Sequence, residues 1–269
     1  RVAMALILGA ALAASGAIFQ SLMRNPLGSP DVIGFNTGAY SGVLVAIVLF
    51  NSAIAGITVG AMAGGLLTAL VVYLLAWRNG IETFRLIIVG IAVRALLVAG
   101  NTWLVISASL ESALTAGLWS AGSLNGITWA KSLPVLGLII LAWALVALLS
   151  RRMHLLEMGY DMARALGVPV ERTRLWLMLA GVGLTAAATA VAGPISFIAL
   201  VAPQIARRLC PNQSQPLLIA GLTGALLLLA ADVATQRLFL PYQLPVGVLT
   251  VSLGGIYLIG LLIRESRKK

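Results

Sequence analysis

Apolar runs of near-membrane length follow one another along almost the whole chain, at 2–22, 36–50, 53–77, 86–107, 134–150, 175–192, 194–209, 216–236 and 245–263. A helix needs about 20 mostly apolar residues to cross the hydrocarbon core of a bilayer. Hydrocarbon offers no partner to a backbone N–H or C=O, so a spanning segment closes its hydrogen bonds as a helix or within a sealed barrel. These runs are too long for barrel strands and lack their two-residue alternation. Charged residues make up 10% of the chain, against about 25% in soluble domains, and no water-soluble core could take up the apolar remainder. The expected fold class is all-α, a single polytopic transmembrane helical bundle over 1–269 with lipid as its solvent.

Nine spans place the two ends on opposite sides. The runs 36–50, 134–150 and 194–209 are short or interrupted by proline. Stretches such as "GAALAASG" (9–16) and "GAMAGG" (60–65) suit helices that approach backbone to backbone, the usual packing mode in lipid. "NPLGSP" (25–30) predicts a turn after the first run, and Pro241 and Pro245 flank another. Pro194 and Pro203 are expected to bracket a short helix. Irregular backbone at membrane depth is tolerated only beside protein or water, which puts Pro194 toward a pathway or its outer gate.

The net charge of +10 would point to nucleic acid in a soluble chain. Basic clusters interleaved with base-stacking aromatics are absent here, so no nucleic acid is expected. Lys and Arg instead concentrate in short cytoplasmic loops of membrane proteins. With the terminal "RESRKK" inside, fourteen of the eighteen basic residues fall on the cytoplasmic side. They are Arg24, Arg78, Arg85, Arg151, Arg152, Arg164, Arg172, Arg174, Arg207, Arg208, Arg264, Arg267, Lys268 and Lys269. Arg1, Lys131 and Arg237 fall outside, and Arg94 lies within a span.

"RRMHLLEMGYDMARALGVPVERTR" (151–174) carries eight of the twenty-six charged residues between nearly charge-free neighbours. It reads as the largest cytoplasmic loop, holding a short amphipathic helix that stops at Gly167 with Pro169 beyond. Either it is a solvated basic anchor, or it is a docking surface for a cytosolic partner.

Five ordered stretches resemble one family: "SGAIFQSLMRNPLGSPDVIGFNTGA" (15–39), "WSAGSLNGITW" (119–129), "LLEMGYDMARALGV" (155–168), "AGPISFIALVAPQIARR" (192–208) and "LPVGVLTVSLGGIYLIGLL" (244–262). They are similar to the permease subunits of ABC importers for iron–siderophores and vitamin B12. The resemblance implies a ten-helix fold whose first helix would precede Arg1, alternating access, and ferric enterobactin as cargo. It implies four kinds of partner: a cytosolic ATPase dimer, a second and different permease chain, a periplasmic siderophore-binding protein, and membrane lipid. It also implies that Met158, Gly159, Asp161, Arg164, Ala165, Leu166, Gly167 and Val168 form the coupling helix that receives ATP-driven motion. Arg1 and Arg237 would pair with the binding protein, although interfacial snorkelling also accounts for Arg237.

Lys131, Lys268 and Lys269 are the lysines of the chain, and none sits in a phosphate-binding G-x-x-x-x-G-K-[ST] loop. Catalysis is therefore not expected here, and ATP with its Mg2+ would belong to the partner ATPase. One histidine and one cysteine exclude a His/Cys metal cluster or an internal disulfide. Arg94 and Asp232 are ionisable residues inside spans, costly in lipid and usually turned to a cavity or partner. Arg94, with Asn101 and Pro194, is a candidate for the translocation pathway of an anionic chelate. The alternative is a structural pair with Asp232. A self-contained secondary transporter would need coupling carboxylates in the membrane, for which Asp232 is the candidate. An intramembrane enzyme finds no catalytic constellation. Haem or vitamin B12 remains an alternative cargo.

Overall fold

In lipid, apolar side chains gain little by meeting one another, so helices associate where small residues let backbones approach and where buried polar groups bond across helices. Both devices build the centre of this protein. The computed structural model describes residues 1–50, 54–78, 82–210, 217–238 and 243–266. The expected turn proline Pro241 and the basic Arg267, Lys268 and Lys269 lie outside them, as do the side chains of Lys131 and Arg264.

All elements among the described residues are helical. They are α1 (Val2–Met23), a 3-10 turn (Pro30–Ile33), α2 (Phe35–Leu44) with a π-helical extension (Val45–Leu49), α3 (Ile54–Ala76) and α4 (Thr83–Ser107). Then follow α5 (Leu110–Ser120), α6 (Trp129–Glu157), α7 (Tyr160–Ala165), α8 (Val170–Ala192), α9 (Ile198–Leu209), α10 (Leu217–Arg237) and α11 (Val246–Ser266). Six of these are long and apolar enough to cross a membrane. Nine of the eleven occupy the nine expected spans, and α5 and α7 are the short additions.

α1 is the hub. It packs along α10, α8 and α9, while α2 lies on α3 and α6 on α8. At the α1–α10 crossing Gly9 faces Gly224 so closely that a β-carbon on Gly9 would run into the Gly224 carbonyl oxygen. Across α1 and α8, the buried Ser15 hydroxyl donates to the Gly181 carbonyl at 2.7 Å and lies 2.8 Å from the Thr185 hydroxyl. With hydrocarbon outside, such bonds each contribute about 0.6 kcal/mol in measured cases.

The helix ends gather at two poles. At one, the C-terminus of α1 meets the end of α6, α7 and the start of α8, through Arg24, Leu156, Tyr160 and Arg174. At the other, Ser123 N–H donates to the Ala192 carbonyl at 2.6 Å and Gly247 N–H to Gly122 at 3.0 Å, closing α8 and α11 onto the loop after α5. Arg1 and Asp232 meet at this second pole.

Three boundaries differ from the expectation. α6 runs from Trp129 to Glu157 rather than over 134–150. Pro134 deletes a single intrahelical bond near the start, and the arginine pair at 151–152 lies where a helix can continue into water, so neither stops it. For the same reason Pro203 sits inside α9, which begins at Ile198, instead of ending it. α5 falls below any span search, since 11 residues rise only about 16 Å. Its start is nonetheless marked by the Ser109 side chain, which accepts from Ser112 N–H at 3.3 Å.

Candidate functional site

The patch at 151–174 resolves into a knob. The last turns of α6 carry Arg151 and Arg152. The chain then breaks at Gly159 (φ 127), turns through the six residues of α7, and breaks again at Gly167 (φ 79) before α8. Both glycines hold backbone angles that strain any residue with a β-carbon. Gly167 thus ends the short helix as expected, although that helix is confined to Tyr160–Ala165.

On its outer side the knob exposes Met158 (66%) at the end of α6, Met162 (51%) on α7 and Leu166 (55%) at the cap of α7. Exposed Asp161, Arg164, Ala165 and Gly167 surround them, and Val168 turns inward. Arg164 reaches Asp161 at 3.3 Å and Glu171 at 3.4 Å, so the rim is charged but largely self-neutralised. An apolar centre with a polar rim is the usual anatomy of a protein interface.

The second site lies on α4. A cleft of about 430 Å³ is lined by Asn36, Thr37, Tyr40, Asn101, Thr102 and Ser120 among others. A neighbouring cleft of about 370 Å³ has Ser29, Asp31, Arg94, Ser196 and Phe197 and shares Asn36 and Thr37. The two form one wall, apolar over most of its surface, in which these polar side chains are set. Arg94 and Asn101, both singled out in the sequence, stand on it about 10 Å apart along the helix axis. Asn101 is buried and donates to the Thr37 carbonyl at 3.4 Å, whereas Arg94 is exposed to the cleft.

Opposite them the Asn36 amide donates to Asp31, and the Thr189 hydroxyl donates to Asn36 at 3.3 Å. Asp31, Asn36 and Thr37 were not among the sequence candidates, because Asp31 lies between two apolar runs and the other two at the edge of one. Pro194 does not line either cleft. Its carbonyl packs against Gly122, and the irregular link 193–197 contributes Ser196 and Phe197 to the wall instead. Phe197 has φ 71, a left-handed bulky residue that nothing in the sequence announces.

At the second pole the part-exposed Arg1 makes a bond within the chain. Its guanidinium grips the buried Asp232 carboxylate at 2.6 and 3.0 Å, and Gln236 donates to the same group at 2.7 Å. Asp232 thus takes part in a structural bond, with Arg1 rather than Arg94 as its cation. Arg237 remains exposed at the end of α10.

Residues 1–264 match the FecCD transport family. The ferric enterobactin transport system permease protein FepG of Escherichia coli (strain K12) is 71% identical over 269 residues, covering 100% of this chain and 82% of that one. The achromobactin transport system permease protein CbrC of Dickeya dadantii (strain 3937) is 37% identical, over 98% and 77% respectively. Among solved structures, a metal-chelate type ABC transporter in an inward-facing conformation superposes with a TM-score of 0.88 at 30% identity, covering 98% of this chain and 86% of that one. Identity at this level across the whole length, joined to an all-helical superposition, leaves one conclusion: the chain belongs to the FecCD transport family.

Proposed function

We propose that this chain is a permease subunit of an ABC importer that carries ferric enterobactin across the bacterial inner membrane by alternating access. The observation that carries this reading is the 71% identity to the ferric enterobactin permease, which runs through every helix of the bundle. In this reading the α7 pole is cytoplasmic, as is the C-terminus, and the exposed Met158, Met162 and Leu166 dock into a dimer of separate ATPase subunits. ATP and Mg2+ are held there and not on this chain. A second, different permease chain completes the pathway by facing the wall that α4 lines. A siderophore-binding protein delivers cargo at the opposite pole, where Arg237 offers it a positive charge.

Ferric enterobactin is an anionic chelate. Arg94 supplies favourable potential along its route, while Asn101, Asn36 and Thr37 offer neutral hydrogen-bonding groups that do not hold it too tightly. The secondary-transporter alternative loses its candidate, since Asp232 is engaged by Arg1 and Gln236.

The test is uptake of radiolabelled ferric enterobactin in a strain lacking its own permease, complemented with the full-length protein and either an active or an inactivated ATPase. Uptake only with the active ATPase is expected, and uptake without it sinks the importer reading. Gly167→Pro forces a φ near −65° where the chain holds +79°. It is expected to abolish uptake while the protein stays in the membrane fraction.

A further inference from the structure

Tyr160 opens α7 and points away from the proposed docking face, back into the bundle. Its hydroxyl donates to the Leu22 carbonyl at 3.1 Å. Leu22 lies in the last turn of α1, where carbonyls have no partner within the helix. Two guanidiniums lie over the Tyr160 ring, Arg24 at 4.0 Å and Arg174 at 4.6 Å from its centroid. Arg24 comes from the C-cap of α1 and also donates to the Leu156 carbonyl at 2.9 Å, in the last turn of α6. Arg174 comes from the first turns of α8 and is buried.

The result is a reciprocal tie. α7 caps α1, α1 caps α6, and α8 leans on the same ring. Arg24 takes a left-handed backbone conformation (φ 48) at this point, uncommon for a residue with a β-carbon. Guanidiniums over an aromatic face are attracted by its quadrupole, more strongly where water is excluded. On the outer side the apolar Met162 and Leu166 are exposed, and the tie there is the exposed Arg164–Glu171 pair to α8 at 3.4 Å, of a kind that contributes about 0–1 kcal/mol. The short helix is thus held to the bundle chiefly through its inner side.

We infer that Tyr160 is the pin through which displacement of α7 passes into α1 and α8, making it a positioning residue for transport rather than a docking residue. A six-residue helix between two glycines would otherwise swing on its own hinges and dissipate any push it received. The inference rests on the reading of α7 as the ATPase-docking element, and the experiment separates the two.

The permease pair, its ATPase and its binding protein are reconstituted in liposomes. ATPase co-purification, ATP turnover and ferric enterobactin uptake are measured for wild type, Tyr160→Phe and Tyr160→Leu. Tyr160→Leu is expected to retain the ATPase and its turnover while uptake per ATP falls about tenfold, in line with the loss of two cation–π contacts and one hydrogen bond. Tyr160→Phe keeps the ring and loses only the bond to Leu22, so its ratio falls about two- to threefold. An unchanged ratio in Tyr160→Phe together with an unchanged ratio, or loss of the ATPase, in Tyr160→Leu overturns the pin. Failure of the wild-type chain to retain the ATPase overturns the docking reading instead.

Discussion

α1 and α4 are nearly equal in mean hydropathy, 2.2 and 2.0, yet 72% of the most apolar stretch of α1 is buried inside the protein and only 11% of that of α4. Hydropathy says that a helix belongs in lipid and says nothing about what it touches there. The difference lies in side-chain size. α1 carries seven alanines and two glycines among its 22 residues, so neighbouring backbones close in on every side. α4 carries bulky Phe84, Ile88, Leu96, Trp103 and Ile106 on its exposed surface, interrupted by Arg94 and Thr102. One helix is built to be surrounded by its own chain. The other presents an apolar belt to lipid or a partner and a few polar side chains to a largely apolar cleft.

The largest effect expected from breaking this contrast comes from filling the α1–α10 contact. Gly9→Val places side-chain atoms where the Gly224 carbonyl and the Ala225 Cα already lie. Overpacking of this kind costs about 1–3 kcal/mol, which lowers the steady-state amount of a marginally stable protein several-fold. Gly100→Val on α4 is the control, because a β-carbon there meets nothing within 4 Å; its amount in the membrane stays within about twofold of wild type. Immunoblots of membrane fractions decide the matter, and equal losses at both positions would erase the distinction between hub and wall.

This contrast was only half legible in the sequence. The all-helical class, the positions of the apolar helices and the charged knob followed from run length and charge placement, because lipid imposes both on any chain that crosses it; the count did not, since six of the eleven helices are long and apolar enough to cross. Gly167 as a helix stop was legible too, since a glycine followed by a proline has a local meaning. The wall was not. Arg94 and Asn101 drew attention as polar residues in an apolar run, but Asp31 and Asn36 join them through the segment after α1, and Phe197 through the link between α8 and α9, placements that no local pattern announces. Tyr160 lay in plain view inside the knob, and its role depends on Arg24 and Arg174, which are distant in sequence. The resemblance gave Arg1 to the binding protein, and nothing local pointed to its bond with the buried Asp232 on α10.

A smaller and more selective effect is expected on the wall itself. Arg94→Gln removes the charge and leaves a shorter, neutral side chain that still donates and accepts hydrogen bonds. Uptake of an anionic ferric catecholate is expected to fall about tenfold, the consequence of losing about 1.4 kcal/mol of favourable potential at an effective dielectric near 20. Uptake of a neutral ferric chelate by the same assembled transporter, in so far as it occurs at all, is expected to be unaffected. The amount of protein should not change either, because the side chain is exposed to the cleft. An equal loss for both chelates would mean that Arg94 supports the structure, moving α4 toward the character of α1.

The smallest effect is expected at the second pole, where Arg1 and Arg237 repeat the contrast in miniature. Arg1, itself part-exposed, is held by the buried Asp232 of α10, and Arg237 stands exposed at the end of that helix. An exposed ion pair contributes about 0–1 kcal/mol, so Arg237→Glu, which turns one attraction into a repulsion, is expected to slow uptake about two- to fivefold at low salt. The loss should shrink as ionic strength rises, since exposed charges are screened over about 10 Å at 0.1 M salt. It should appear in the rate at which the binding protein engages rather than in transport once engaged, because charges at a rim act on encounter more than on affinity. Uptake measured at saturating binding protein should therefore be close to wild type. A deficit that persisted at high salt and at saturation would show that Arg237, like Arg1, is part of the bundle, and the surface role would fall.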